Sequence, residues 1–392
     1  MADFNPVERP HYKDVAHWRD NDMTWTSDRE EFVYLINEAQ EHTRWLDGFR
    51  SAELSTVPTT FSDVFGTDLE RENIEEGTGL TLLVGDNRYP ISEIGRKSLY
   101  NTADISGQSL GRLMLTTLSE FLNECLKVSK SNSLLLLRYG KIMAFHTDKY
   151  CIMPIPALFK ITEEKLKERF GTINFIEGYH SNNFTQAVWE LPNFQNDFME
   201  NYYSAIEDHA VNPVNIMPAV RFSASDTATS AVIATPMAML PSGVCMPVVQ
   251  GISIKHEHHT NGLEGILLYE TTLQDIFVKF EDVTEAIKRM ASFEVEYPVN
   301  CLTGICNRLN KSTTMIARKY ADAARQEVEN LASFQERITM YDIFLCMGEC
   351  IHAAKKAQAS IATLNNIEEA IALIPKMKWD NFDVSGLVAW RK

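Results

Sequence analysis

Residues 134–158 read LLLLRYGKIMAFHTDKYCIMPIPAL. Leu134–Leu137 and Ile142–Phe145 are short apolar runs, divided by Tyr139–Gly140–Lys141 and closed by the polar break Thr147–Asp148–Lys149. Short apolar runs bounded by turn residues read as buried strands rather than as helices, which need greater length. A third apolar segment follows, to Leu158. The stretch predicts a β-meander. Its apolar runs are sheet core, and its rim is basic and aromatic: Arg138, Tyr139, Lys141, Lys149 and Tyr150.

Upstream, Leu82–Val84 predicts a short strand and Gly85–Asp86–Asn87 a turn. Ser92 is placed to cap a helix running to Tyr100, with a break over Asn101–Ile105. A second helix is predicted from Ser106 to Val128, its apolar face formed by Leu110, Leu113, Leu118, Phe121 and Leu122. Helix, short turn, helix is the outline of a DNA-reading unit, but two consecutive helices with a short connection are common for packing reasons alone, and their apolar positions are core residues first. Further upstream, Ser27 and Glu30 form a capping-box pattern ahead of Phe32, Leu35, Ile36 and Ala39, with Trp45, Leu46 and Phe49 extending that helix's apolar side. Residues before about 25, with His17 and Trp18, are polar and predicted to wrap on the surface. Residues 51–79 read as a linker with an acidic end, ERENIEEGTG.

Downstream, Ile161–Phe170 predicts an amphipathic helix capped by Thr162 and stopped by Gly171. Ile173–Tyr179 and Phe184–Leu191 predict a hairpin around His180–Asn183. Shorter strands are expected at Ala219–Ala224, Ser230–Thr235, Cys245–Val249 and Ile252–His256, with Pro218, Pro236, Pro241 and Pro247 at their ends and edges. From Thr272 the period changes from 2 to 3.6, predicting helices at 273–292, 302–309, 313–331, 335–359 and 367–374. The expected fold is α+β: an acidic N-terminal helix and linker (1–80), an antiparallel sheet-rich core (81–270) and an α-helical C-terminal region (271–392).

The composition, 45% hydrophobic and 23% charged, is that of a soluble globular protein. No stretch approaches the run of roughly 18 apolar residues that crosses a bilayer. The opening MADFNPVERPHYKD carries charges and prolines where a signal peptide needs an apolar core. Seven cysteines without scaffold spacing predict free thiols in a reducing compartment, the cytosol or a bacterial cytosol in which the chain is made. The net charge of −16 is uneven: residues 1–80 and 171–299 each carry −11, whereas residues 81–170 carry +4. The acidic total disfavours indiscriminate phosphate binding, and the basic segment leaves room for a local nucleic-acid face.

Among chemistry-bearing clusters, Lys255–His259 is the most metal-like, because His256 and His258 share one face of a strand. A third ligand from His180, His209 or Glu264 requires the fold, and a solvated strand end is the plainer reading. Cys346 and Cys350 stand four residues apart on a helix, near His352 and downstream of Cys301 and Cys306; they read as small core residues. There is no nucleophile elbow and no glycine-rich phosphate loop, and Ser225–Asp226 has no evident base partner. No cofactor is implied, and the missing motifs lean against an enzyme without deciding the question. The rim differs in kind. Cations beside aromatic rings are what a single-strand platform needs, with Arg88, Arg96, Lys97 and Arg112 available to extend it. The alternative is that Phe145 is core and the lysines merely keep a sheet edge soluble.

The segment 135–158 also resembles the phage/plasmid-like DUF932 family, with Arg138, Gly140, Ala144, Asp148, Tyr150 and Leu158 following that family's order. His146 stands where the family has a small residue, and Met143 where it has an arginine. Tyr89–Pro90–Ile91–Ser92 resembles the family's YPLT segment. Arg221–Ala228 resembles its SNSEVG strand, with Ala224 for Asn, Asp226 for Glu and Ala228 for Gly. The likeness spans about residues 81–260. It implies a mobile-element protein handling nucleic acid or engaging a host, and it carries over no catalytic residue. The expectation is a DNA-binding protein favouring single strands, with Arg138, Lys141 and Lys149 on phosphates and Tyr139 and Tyr150 stacking on bases, self-associating through its C-terminal helices. Two alternatives remain: an acidic counter-defence factor that binds a host protein, and a metal-dependent enzyme around His256 and His258.

Overall fold

The computed structural model describes residues 24–59, 79–107, 109–209, 211–227, 229–255, 262–310, 316–359 and 361–390. Strand β1 (Thr24–Thr26) leads into helix α1 (Arg29–Glu41), and strand β2 (Thr43–Arg50) follows at once. Asp28, not Ser27, caps α1, accepting from the backbone N–H of Glu30 and Glu31. The helix expected to continue through Trp45, Leu46 and Phe49 stops at Glu41. Those residues form β2 instead, whose Thr, Trp and Phe favour strand, and whose Gly48 adopts a left-handed φ of 82°.

Next come β3 (Ser55–Pro58), β4 (Leu80–Val84), β5 (Asn87–Pro90), α2 (Glu93–Thr102), α3 (Leu115–Val128), β6 (Asn132–Arg138) and β7 (Lys141–Thr147). They make a small module of two antiparallel sheets, β2-β6-β7 and β3-β4-β5. The opening apolar runs are thus a hairpin. Tyr139 and Gly140, at φ 49° and 76°, form the two-residue turn in the conformation that matches strand twist. The third segment of the expected meander is not a strand, because Pro154 and Pro156 start a helix there; the third strand is β2.

Alternation decides which side chains of the small sheet go where. Leu135, Leu137 and Phe145 face α3, whose Leu118, Leu122 and Leu126 are fully buried against them. Thr43, Trp45, Leu136, Arg138, Ala144 and His146 face the other way. Ser92 caps α2 as expected. Both α2 and α3 pack on the sheets, and the outward side of α3 carries Glu120 and Glu124, which phosphate repels.

The large module begins with α4 (Ile155–Phe170), β8 (Asn174–His180), β9 (Thr185–Glu190), α5 (Gln195–Ile206), β10 (Met217–Ala224), β11 (Val232–Met239), β12 (Cys245–Pro247) and β13 (Ile252–Ile254). Its antiparallel sheet runs β1-β8-β9-β10-β11-β12, and β13 pairs with the first half of β11. Pro236 lies inside β11 rather than at an end. It pairs with Val220 of β10, and on its other side it falls between Ala234, the last residue paired to β13, and Met237, the first paired to β12, a gap where a missing N–H breaks no bond.

Helices α6 (Gly262–Leu273), α7 (Ile276–Ala291), α8 (Pro298–Leu309), α9 (Arg318–Phe334), α10 (Met340–Cys346), α11 (Gly348–Lys356) and α12 (Ile361–Leu373) complete the chain. The change of period near Glu270 marks no separate core. Phe159, Trp189 and Phe222 share one apolar core with Phe280, Ile287, Tyr341 and Ile371, and Thr162 meets the Tyr269 hydroxyl at 2.7 Å inside it. Thr162 is therefore a buried mid-helix contact of α4, not its cap. All seven cysteines are free thiols, and Cys301, Cys306, Cys346 and Cys350 are core residues. The molecule is mixed α+β, and no helix among the described residues is long and apolar enough to cross a membrane.

Candidate functional site

The outward face of the small sheet meets two loops of the large module, the β8–β9 turn (Ser181–Asn183) and the stretch after β10. Arg138, only 2% exposed, ends β6 and points into this junction. Its guanidinium pairs with the Asp226 carboxylate, while Nε donates to Thr43 Oγ1 at 2.8 Å and Nη1 to the Asn182 carbonyl at 3.1 Å. The Asp226 carbonyl accepts from the Tyr150 hydroxyl at 3.2 Å and lies 2.9 Å from His146 Nε2. The His146 and Tyr150 rings stack at 3.8 Å, and Trp45 lies 5.5 Å from Tyr150. The loop itself is tied by hydroxyls: Ser225 Oγ sits 2.9 Å from Thr227 Oγ1 and 2.8 Å from Thr229 Oγ1, and both threonines reach Asn183.

His180 flanks the cluster, its Nδ1 2.9 Å from Thr185 Oγ1. Burial, reinforced by the Arg138 cation, pushes its pKa down to about 4, against the pull of Asp226. Burial likewise raises the Tyr150 phenol well above its usual range, with Asp226 adding to the shift. Among the described residues, Ser225 has no imidazole within hydrogen-bonding reach, so the loop holds no serine–histidine pair. Arg138 has three acceptors, and the acid is matched to it. The arrangement is a closed buried ion pair that fastens the two modules, not an open reaction site.

This placement corrects the expected rim. Arg138 and Tyr150 are engaged inside the junction, so neither presents itself to phosphates or bases. Lys141 and Lys149 do not neighbour each other along the chain's path. Lys141 opens β7 and Lys149 lies two residues past its far end, and at about 3.3 Å per residue the strand alone spans roughly 20 Å. Phe145 is core. His256 and His258, and Ala228, lie outside the described residues. No group of three or more metal-type side chains converges among the described ones.

Tyr139 remains. It is 37% exposed at the hairpin tip, its ring centroid is 4.8 Å from that of His42, and its backbone N–H donates to the His42 carbonyl. Tyr34, 66% exposed and two helical turns before His42, and Glu38, which accepts from the Tyr139 hydroxyl, border it on α1. Arg44, two residues past His42 on β2, is exposed on the face that carries Leu137, and Lys141 is half-buried opposite Arg138 on the other face. Tyr139 and Lys141 are legible in the sequence, whereas His42, Tyr34 and Arg44 are not, because the spacing of Trp45, Leu46 and Phe49 extends the helix through Arg44. Nor does the sequence pair Arg138 with Asp226, although both stand in the quoted motifs. Comparison of the chain with protein-family models, with curated proteins and with solved structures found no match.

Proposed function

We propose that this chain binds single-stranded nucleic acid, without chemistry of its own, at the hairpin edge built from Tyr139, His42 and Tyr34, with Arg44 and Lys141 flanking that edge from the two faces of the sheet. The observation that carries the proposal is the exposed Tyr139 ring. A left-handed turn holds it in place against His42, beside cations on the adjoining strands. Exposed rings take the faces of bases, and neighbouring cations follow the backbone. Glu38 and Glu41 flank the patch on one side, so the strand runs along β2 and the hairpin rather than over α1. The likeness to the phage/plasmid-like family supports a mobile-element role in recombination or DNA maintenance, carried out in a host cytosol.

Self-association is part of the same proposal. The exposed Leu263, Leu267 and Leu268 of α6 form the apolar surface it would use. Fluorescence anisotropy with a labelled oligothymidine tests the binding, and light scattering on the same samples tests the association. A replacement Tyr139→Ala is expected to weaken binding by about 1–3 kcal/mol, roughly five- to 150-fold. Wild-type protein that ignores single strands at low salt but retains a host protein stoichiometrically would instead favour the acidic counter-defence reading.

A further inference from the structure

The last turns of α8 and α12 come together with two short 3-10 turns, Ile374–Lys376 and Trp379–Asn381, around a cavity of about 600 Å³. That is within the size range of small-molecule sites, roughly 300–1,000 Å³. Three cationic side chains line it, Arg308, Lys376 and Lys378, and among the described residues no acid does. None of the three has an acidic partner among those residues, and Lys376 Nζ donates instead to the neutral Gln250 Oε1 at 2.9 Å. The acids next along the chain are not part of the lining. Asp383 accepts from the backbone N–H groups of Glu296 and Tyr297 at 3.0 and 2.7 Å, and Asp380 is exposed outside the cavity.

In a chain of net charge −16, three cations on one cavity without an acid reverse the local sign and favour an anion. The helix ends temper this. Leu309 and Leu373 close α8 and α12, and each helix C-terminus carries about half a negative charge. About two positive charges remain, which matches the roughly −1.5 to −2 of a phosphate monoester at neutral pH and leaves a single carboxylate short. Arginine and lysine are donors only, which suits the acceptor oxygens of a phosphate. The rest of the lining is largely apolar, with Leu309, Leu373, Met377 and Phe382, and gives an organic group a wall to lie on. We propose that this cavity binds a small phosphate monoester, its phosphate among Arg308, Lys376 and Lys378 and its organic part against Met377 and Phe382. The inference rests on the cavity alone and is independent of the Tyr139 surface.

The test uses the full chain at low salt, calorimetric titration and thermal melting, and four probes: phenyl phosphate, inorganic phosphate, benzoate and phenol. Phenyl phosphate is expected to bind with Kd below about 1 mM and to raise the melting temperature. Inorganic phosphate, which lacks the organic part, and benzoate, which lacks the second charge, should each bind at least about tenfold more weakly, and phenol not at all. All three cations are exposed, so Lys376→Gln and Lys378→Gln should each weaken phenyl phosphate by about threefold, and both together with Arg308→Gln should abolish its binding. Lys356→Gln removes the same charge outside the cavity and should change nothing. Tyr139→Ala should also leave phenyl phosphate binding unchanged, so that failure here and failure of single-strand binding are separate results. No binding of phenyl phosphate by the folded wild type, equal binding of benzoate or inorganic phosphate, an equal loss in Lys356→Gln, or full binding by the triple variant would each overturn the proposal.

Discussion

Replacing Asp226 by Asn removes one charge from the junction and leaves its shape. The pair it belongs to is buried on both sides, with the Arg138 and Asp226 side chains 3% and 9% exposed. Breaking such a pair from one side strands the other charge and costs about 3–5 kcal/mol. Arg138 keeps its bonds to Thr43 Oγ1 and the Asn182 carbonyl, and the new amide oxygen still accepts, so the cost should fall near the low end, about 3 kcal/mol. With an unfolding entropy of about 2.1 cal/mol/K per residue, 392 residues give about 0.8 kcal/mol/K, so the melting temperature should drop by about 4 °C. Calorimetry reads this directly. Urea titration followed by tryptophan fluorescence reports both modules, since Trp45 lies in one and Trp189 in the other. The double replacement Arg138→Met with Asp226→Leu leaves no stranded charge and should recover most of the loss. If Asp226→Asn stays within about 0.5 kcal/mol of wild type, the pair is solvated and does not fasten the modules.

Three further outcomes follow from the same structure. His180 is held neutral, with a folded pKa of about 4 below its unfolded value of about 6.5, so its contribution is complete above pH 6.5 and is lost as pH falls toward 4; urea titrations should show about 2 kcal/mol less stability from this group at pH 5 than at pH 7.5, and His180→Asn should flatten that difference. At Gly95 an added Cβ would stand 2.4 Å from the Ile142 carbonyl oxygen, so Gly95→Ala should push α2 off β7 and cost about 1–3 kcal/mol in chemical denaturation, whereas an unchanged midpoint would show that the helix is not seated there. Six of the seven thiols are buried, so a thiol reagent should titrate Cys125 alone in the native protein and all seven in denaturant.

Much of the fold is legible in local chemistry. Ser92 caps α2 because its hydroxyl reaches the Gly95 N–H, and the hairpin at 134–147 is set by alternating apolar runs around a turn that tolerates left-handed backbone. What local patterns do not carry is partnership. Trp45, Leu46 and Phe49 satisfy helical and strand spacing equally, and only the free edge of β6 decides between them. Residues 271–392 look like a separate helical region because each helix is amphipathic, but their apolar faces close over the same sheet core as the middle of the chain. The candidate site shows the same division. Arg138 beside aromatic residues looks like a surface contact until Asp226, distant in sequence, supplies the partner that buries it. Arg221 and Glu368 are likewise too far apart in sequence for spacing to suggest a pair.

The functional claim is tested most directly by anisotropy of a labelled oligothymidine across a salt series, for wild type and Tyr139→Ala. With Arg44 and Lys141 as the phosphate contacts, log K should fall with log salt at a slope of about −1.4, a roughly sevenfold loss between 50 and 200 mM. Tyr139→Ala should lower affinity at every salt while keeping that slope, because it removes stacking and no charge. Absence of binding by wild-type protein at 50 mM salt, or affinity unchanged by Tyr139→Ala, would contradict the account.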